Sequence, residues 1–418
     1  MTTTATKGAK AAKTKPEDVP ATGAGALKIT CSRADLVEAL ATAATVAPAK
    51  STKRILESVL LRASVGGKFE VFATDLDASA RLIVHAADIE GSGPALEVAV
   101  NARRALSLAK AITDDKVTIE SRDLGVLRIA SAPGSTGNTK FDIVTEADPM
   151  EFPDVAFLAA PAPGSAVVLE GPAFELALGR VHVAVGDEDD AARYALNGVA
   201  FDWTREGALS LVATNGNNLA CAKIPAPGSA PGALSVISAR SVAALRKFVA
   251  GAAKVLARFD ATRATFALGD GSSGEVLTAQ LVVGKHFPPY ERAIPGANRA
   301  EHVVTLNRAA LVEALEAAAL VTTKDSRSVR WAFTFKKLTL SARGTDAGES
   351  AIELTCSWTG DPLEIALDPR YVLAALGSVG GPGGLDVVAL EFRTPAAPVV
   401  LRVEDQGFVY VVMPITIG

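Results

Sequence analysis

An octapeptide that recurs along the chain is the feature that most limits how this sequence can fold. Residues 33–40 read RADLVEAL and residues 308–315 read RAALVEAL, so seven of eight positions agree. Midway between them, residues 171–178 read GPAFELAL, and the three octapeptides start 138 and 137 residues apart. Equal spacing at this length indicates a structural unit of about 137 residues that is used three times. A unit of this size can bury a hydrophobic core of its own.

The predicted elements follow the same order in each unit. A short strand precedes an amphipathic helix, and strands, a second helix and further strands follow. In the first unit LKITCS predicts the opening strand, and Ser32 is the predicted N-cap of the helix. Two helices and about eight strands per unit predict an α+β fold and not a parallel doubly wound sheet. We place the units at residues 27–157, 164–296 and 301–418, after a tail, residues 1–26, whose composition is typical of disorder.

Bulk composition argues against several classes of protein. The net charge of −4 over 418 residues disfavours a nucleic-acid binder that relies on overall charge, although a local basic surface stays possible. The three cysteines, Cys31, Cys221 and Cys356, lie far apart and are odd in number, so we expect reduced thiols in a cytosolic protein. No apolar run approaches the ~20 residues of a membrane span, so no membrane partner is expected.

The predicted second helix of each unit carries basic residues and no acid. These residues are Arg103, Arg104 and Lys110 in the first unit, Arg240, Arg246, Lys247, Lys254 and Arg258 in the second, and Arg370 in the third. Three equivalent helices without an acid indicate a shared surface that faces phosphates, and chance combined with solvated faces is the alternative. The first helices lack this bias, since glutamates occur in all three. Contacts made only to the DNA backbone would be weak and independent of base sequence, which suits sliding.

No catalytic or metal-binding pattern emerges from the sequence. The four histidines lack metal-ligand spacing, and the motifs of P-loop, zinc-protease and serine-hydrolase sites are absent. The acidic run at 187–190 could hold Mg²⁺ or Ca²⁺, but it lacks the alternating spacing of a calcium loop, which favours a solvated loop. We therefore expect no cofactor, no metal and no enzymatic activity.

Several stretches, taken together and in order, resemble the bacterial sliding clamp family, the β subunit of DNA polymerase III. The resemblance runs from Leu27 to the C-terminus. It rests on YVVMP (410–414), LVEALEAAALVTTKDSRSVR (311–330) and PLEIALDPRYVLAAL (362–376), with support from ALNGVAFDW (195–203), VATNGNNLA (212–220) and FPPYERAIP (287–295). Each motif alone is loose, whereas the set at three-fold spacing is specific.

The resemblance implies an architecture and a role. Three clamp domains, each with two helices packed on antiparallel sheets, would form a crescent, and two crescents would close head to tail into a homodimeric ring. Helices would line the hole and sheets would form the outer wall. The implied function is a processivity factor that encircles double-stranded DNA irrespective of sequence. Its implied partners are the catalytic subunit of DNA polymerase III, the clamp loader and other proteins with a clamp-binding motif.

The resemblance also implies sites. A pocket between the second and third domains would take a short, partly apolar partner peptide, and the matching residues are Leu196, Thr214, Gly216, Leu219, Pro288, Arg292, Val411, Val412, Met413 and Pro414. An adaptable methionine suits a slot for several ligands, although such residues could equally be core residues at a domain junction. By position and charge the expected DNA contacts are Lys50, Lys53, Arg54, Arg103, Arg104, Arg240 and Lys324. The expected dimer interface sets Leu127 and Ile129 against Leu320 and Val321.

The chain departs from the family pattern at the rim of this pocket. Asn217 and Asn218 stand where the family often has His-Arg, Ala293 replaces a larger aliphatic residue, and Ile415-Thr416 replaces Met-Arg. These departures leave a specialised clamp paralogue with altered partner choice open. A small-molecule enzyme built on repeated domains is the other alternative, which the lack of an acid–base or metal set disfavours.

Overall fold

The structure, a computed structural model, covers most of the chain outside the N-terminal tail. It describes residues 27–416 except 86, 92–94, 123–124, 136, 146–147, 156, 163, 187–194, 229–231, 297–299, 324–326, 345–347, 381–383 and 404–405. The tail, the acidic run at 187–190 and Lys324 therefore lie outside the described residues. None of the described helices is long and apolar enough to cross a membrane.

The described helices and strands repeat three times in one order. The first repeat contains β1 (Lys28–Ser32), α1 (Arg33–Val46), β2 (Ser58–Ala63), β3 (Phe69–Thr74), β4 (Ala78–Val84), β5 (Asp88–Glu90), β6 (Leu96–Asn101), α2 (Ala102–Ala111), β7 (Lys116–Arg122), β8 (Val126–Ser131) and β9 (Lys140–Val144). The second contains β10 (Val167–Glu170), α3 (Gly171–His182), β11 (Gly198–Asp202), β12 (Ala208–Thr214), β13 (Asn218–Pro225), β14 (Leu234–Ser238), α4 (Ala239–Val249), β15 (Lys254–Phe259), β16 (Arg263–Leu268) and β17 (Val276–Gln280). The third contains β18 (His302–Asn307), α5 (Arg308–Ala319), β19 (Val329–Thr334), β20 (Lys337–Gly344), β21 (Gly348–Thr355), β22 (Leu363–Leu367), α6 (Pro369–Ser378), β23 (Val387–Phe392), β24 (Val399–Val403) and β25 (Phe408–Val412).

Local sequence explains where the helices begin. Five of the six described helices start after a side chain that accepts a backbone N–H of the first turn; these caps are Ser32, Asn101, Ser238, Asn307 and Asp368. The predicted cap Ser32 is thus confirmed. Helix α3 begins instead with Gly171-Pro172, where proline suits the first turn. A Cβ at Gly171 would lie 1.7 Å from the carbonyl oxygen of Ala252. The connection between α4 and β15 therefore approaches so closely that only glycine fits at this position.

The octapeptide forms the first half of each first helix, as the repeat predicts. Its fourth position, which is Leu36, Phe174 or Leu311, is buried in all three copies. These side chains belong to one continuous core that also contains the helix-facing residues of every sheet. Burying the same position three times is what keeps it apolar while the exposed positions of the octapeptide vary.

Four antiparallel sheets run along the molecule, and two of them join neighbouring repeats. One eight-stranded sheet has the order β10-β15-β16-β17-β4-β3-β2-β6, and the other has the order β14-β11-β12-β13-β25-β24-β23-β18. At each junction the last strand of one repeat pairs with the fourth strand of the preceding repeat, as β17 with β4 and β25 with β13. The remaining sheets have the orders β5-β1-β7-β8-β9 and β21-β20-β19-β22, so β9 is one edge of the first and β21 is one edge of the second. Among the described strands, these two edges have no partner on their outer side.

The six described helices form a row on one side of these sheets. Neighbouring helices touch in the order α2-α1-α4-α3-α6-α5, so α2 and α5 stand at its two ends. On the opposite face, two smaller apolar clusters cover the two junctions between repeats. The fold therefore has a helical face and an outer face, and each junction has a strand pair, a helix pair and an outer cluster.

Candidate partner-binding slot and DNA-facing surface

Strand pairing brings apolar residues of the second and third repeats together on the outer face. Along β13, Ala220 and Ala222 face the helices, so Leu219 points to the other side, because side chains alternate along a strand. Leu219 is directly opposite Val411 of β25, and both belong to the outer cluster. We call the part of the outer face formed by Leu219, Val411, Pro288 and Met413 the slot. It is the place where the sequence predicts peptide binding.

A connecting segment, residues 287–294, packs on the outer cluster beside the slot. Phe287, Tyr290 and Ile294 contribute side chains to this packing, and the ring centroids of Phe287 and Tyr290 are 6.4 Å apart. The buried Tyr290 hydroxyl donates to Oδ2 of Asp202 at 2.6 Å. Burial raises the pKa of Asp202, but hydrogen bonds from Thr204 and Tyr290 outweigh it and hold that pKa below its ordinary value. This buried bond ties the segment that carries Pro288 to the sheet.

One rim of the slot is a turn held by its own polar side chains. Thr214 Oγ1 donates to the carbonyl of Asn218 at 2.5 Å and accepts from the N–H of Gly216 at 3.1 Å. Asn215 Oδ1 accepts from the N–H groups of Asn217 and Asn218. Gly216 has φ +90°, a left-handed conformation that favours glycine. Thr214 and Gly216 therefore shape the slot through the backbone, and Leu196 lies buried close to this turn.

The last residues of the chain form the opposite rim. The N–H of Met413 donates to the carbonyl of Asn217 at 2.8 Å, and the N–H of Ile415 donates to the carbonyl of Ala366 at 2.8 Å. Between these anchors the Met413 side chain is 42% exposed and Pro414 is half-buried. Arg292 is exposed on the connecting segment. A flexible apolar side chain held by a fixed backbone can adjust to different ligands.

Two sequence expectations about the slot are wrong in detail. Val412 faces the helices and belongs to the main core, because it is one residue out of phase with Val411. Asn218 is buried and donates from Nδ2 to the Tyr410 hydroxyl at 2.8 Å, so it is no rim group. Sequence reasoning also passed over Tyr290 and Asp202, although Tyr290 stands within the FPPYERAIP motif.

The cations predicted to contact DNA differ in their surroundings. Lys50, Lys53 and Arg54 are exposed in the connection that follows α1, and Arg103 and Arg104 are exposed on α2. Exposed cationic side chains of this kind can contact phosphates.

Arg240, also predicted to contact DNA, is engaged at the junction between the first and second repeats. Its Nε lies 2.8 Å from Oδ2 of Asp75, and its Nη2 donates to the carbonyl of Val46 at the end of α1. Burial raises the pKa of Asp75, which the hydrogen bond from Ala78 and the charge of Arg240 only partly offset. We therefore correct its assignment: Arg240 joins two repeats, and it is not a free phosphate contact.

Basic charge on the other second helices is uneven. Arg370 of α6 forms an ion pair with its own cap, Asp368, at 2.7 Å. Arg246 and Lys247 of α4 line a cleft of about 910 Å³ that also borders α3 and α6. Burial, and then the charge of Arg246, lowers the pKa of His182 in this cleft, so the imidazole is neutral at pH 7. Among the described residues of the second helices, the exposed positive charge thus lies mainly on α2 and α4.

The expected dimer-interface residues also separate into two groups. Leu127 and Ile129 are 0% and 1% exposed, because their positions on β8 point into the core, so their side chains cannot meet another chain. This expectation is wrong for the first repeat. Leu320, just beyond α5, is 82% exposed, and Val321 is half-buried. On the first repeat the exposed apolar side chain at the sheet edge is Val144 of β9, at 64%.

Comparison with known families agrees with this geometry. Residues 27–154 match the model of the DNA polymerase III beta subunit, N-terminal domain, and residues 291–416 match the model of its C-terminal domain. The chain belongs to the DNA polymerase III beta subunit family. A beta sliding clamp from Caulobacter vibrioides is 27% identical, over 94% of this chain and 100% of its own length. One from Streptomyces coelicolor is 25% identical, again over 94% and 100%.

Solved structures of beta sliding clamps share the fold. A Caulobacter crescentus clamp with polyethylene glycol at a proposed beta-motif tethering region aligns with TM-score 0.75 at 27% identity, over 94% of this chain and 100% of its own. A Bartonella birtlesii clamp bound to griselimycin aligns with TM-score 0.76 at 25% identity, over the same shares. The three-fold repeat of two helices and antiparallel sheets is therefore the sliding-clamp fold.

Proposed function

We propose that this chain is a DNA sliding clamp, a non-catalytic processivity factor that works as a head-to-tail homodimeric ring. The ring would enclose duplex DNA, and the slot would tether the catalytic subunit of DNA polymerase III, the clamp loader and other partners. The domain limits that we propose for it are residues 27–157, 164–296 and 301–418.

This proposal rests on one observation: equivalent strands and helices meet at both internal junctions between repeats. At one junction β17 pairs with β4 while α4 packs on α1, and at the other β25 pairs with β13 while α6 packs on α3. The second helix and last strand of one repeat thus meet the first helix and fourth strand of the preceding repeat. The same pairing of equivalent elements would join β9 and α2 of one copy to β21 and α5 of another.

Two such contacts close a ring of six repeats, because each chain has β9 and α2 at one end and β21 and α5 at the other. Closure would also cover two open sheet edges, which otherwise invite uncontrolled strand pairing. Exposed Val144 at one end and Leu320 at the other support this, because large apolar side chains that are this exposed gain from burial.

DNA would be held by topology and by few phosphate contacts. The helical face would line the hole, and we propose Lys50, Lys53, Arg54, Arg103 and Arg104 as its phosphate contacts; Lys324 remains a proposal from sequence. Few contacts to the backbone allow the ring to slide, because none of them reads a base.

Retention on closed and open DNA tests this function. The protein is loaded on a nicked circular plasmid by a clamp loader, and the bound fraction is followed before and after a restriction enzyme linearises the plasmid. A clamp stays on the circle and leaves the linear form. Equal loss from both forms contradicts topological binding, and a monomeric mass in solution at micromolar concentration contradicts the ring.

A further inference from the structure

The outer face continues past the slot along β13 and β25. Strand register places Leu219 beside Val411 in one row, and two residues further on it places Cys221 beside Val409. In the next row, Lys223 is opposite Ser210 of β12. Because residues two apart on a strand face the same side, this face changes from apolar to polar within about 14 Å of the slot.

A cavity of about 420 Å³ lies over the second and third rows. Its floor includes Cys221, Val409 and Lys223, and its roof is the connecting segment from Tyr290 to Gly296. Arg402 forms a wall, since its Nη2 donates to the carbonyl of Pro295 at 2.9 Å while Nε lies 3.4 Å from Glu391. We call this space the annex. Tyr290, Ile294 and Val409 line it and also belong to or pack against the outer cluster around Leu219, so the annex adjoins the slot.

The annex contains more positive than negative charge available to a ligand. Lys223 and Arg205 are exposed, and neither forms a salt bridge with another described residue. Arg402 is largely neutralised by Glu391 and held by Pro295, so its role is structural. Glu291 is the exposed acid among the lining residues. Asp202, buried and bonded to Tyr290, offsets part of the charge of Arg205. Lys223 is therefore the cation that most favours an anionic group, and a side-chain carboxylate can accept from it.

We propose that the annex receives an acidic residue that flanks the apolar anchor of a partner peptide seated in the slot. This inference rests on the proposed function of the slot. An extended peptide advances about 3.4 Å per residue, so about four residues connect Leu219 to Lys223. The annex is on the face opposite the helices, which separates it from any DNA in the hole. Its charge therefore selects among partner peptides, and partners with an acidic flank bind more tightly.

Synthetic peptides test the annex directly. Each peptide carries the same apolar anchor, two leucines and a phenylalanine, and a four-residue extension that is either Gly-Ser-Gly-Ser or Glu-Gly-Glu-Gly. Both extensions are placed at either end of the anchor, and fluorescence anisotropy gives the dissociation constant for the full-length protein. We expect the acidic extension to tighten binding by about twofold to tenfold at one of the two ends. The gain should shrink in high salt.

Substitutions distinguish the contribution of the annex to peptide affinity from that of the slot. Lys223→Glu should abolish the gain from the acidic extension and leave the affinity of the neutral peptide unchanged. Glu291→Gln should increase the gain. Lys116→Glu, at an exposed lysine of the first repeat, is the matched control and should change neither affinity.

The possible failures are distinguishable. If the neutral peptide binds but the acidic one gains nothing at either end, or if Lys223→Glu weakens both peptides equally, the annex proposal is overturned while the slot stands. If neither peptide binds the wild-type protein, both the slot and the annex are overturned.

Discussion

Arg240 of the second repeat lies 2.8 Å from Asp75 of the first, Nε to Oδ2, across the junction between them. The Asp75 carboxylate also accepts the N–H groups of Asp77 and Ala78, so one side chain organises the β3–β4 turn and binds the neighbouring repeat. Arg103 occupies the equivalent helix position in the first repeat and is exposed. Two arginines at matching helix positions therefore have different surroundings.

Replacing these two arginines should separate stability from DNA retention. Arg240→Ala should lower the free energy of unfolding by about 1 kcal/mol. The substitution removes a half-exposed guanidinium and leaves the buried carboxylate of Asp75 without its ion-pair partner. Arg103→Ala should leave stability unchanged and shorten residence on nicked circular DNA. Urea denaturation and the plasmid assay measure the two effects. The assignment fails if Arg240→Ala shortens DNA residence as much as Arg103→Ala and leaves stability intact.

The bond between Tyr290 and Asp202 should make stability depend on pH. The pKa of Asp202 is held below its ordinary value of 3.8, so its carboxylate contributes stability above that pH and loses it as the pH falls through the folded-state pKa. The stability gap between wild type and Asp202→Asn should be constant from pH 7 to about 5 and narrow below. Chemical denaturation at several pH values measures the gap. A gap that widens towards acid pH would have the wrong sign for this interpretation.

We expect Leu320 to be required for dimerisation into the ring. Leu320→Asp places a charge where a second copy would bury an apolar side chain, so we expect a monomer in sedimentation experiments and loss of retention on circular DNA. Val303→Asp is the matched control, because Val303 is exposed on β18, which belongs to a different sheet from β21. Dimers that persist in Leu320→Asp while Val303→Asp dissociates would place the interface elsewhere.

Met413 should decide the affinity of the slot. Met413→Asp puts a charge on an apolar rim, so we expect at least about a tenfold loss of affinity for a peptide with leucine and phenylalanine anchors, with the ring intact. Phe335→Asp, at an exposed aromatic residue in the β19–β20 turn, serves as the control and should bind normally. Unchanged peptide affinity in Met413→Asp would refute the assignment of the slot.

Much of the fold could be predicted because the determining signals are local and repeated. Helical periodicity in the octapeptides predicted α1, α3 and α5, and Leu36, Phe174 and Leu311 are buried at the same position of each helix. Short-range hydrogen bonding explains the cap at Ser32. These features need only the next few residues of chain, so they can be read without knowing what packs nearby.

Tertiary structure decided everything that depends on strand register or on a distant charge. A shift of one residue along a strand reverses the face that a side chain occupies, which is why Leu127, Ile129 and Val412 point into the core and not to an interface or a slot. Arg240 looked like a free cation until Asp75, 165 positions earlier in the chain, was found beside it. Sequence alone thus determined the three-fold repeat, its helices and the family. Folding determined which residues are exposed, because that depends on long-range pairing between repeats.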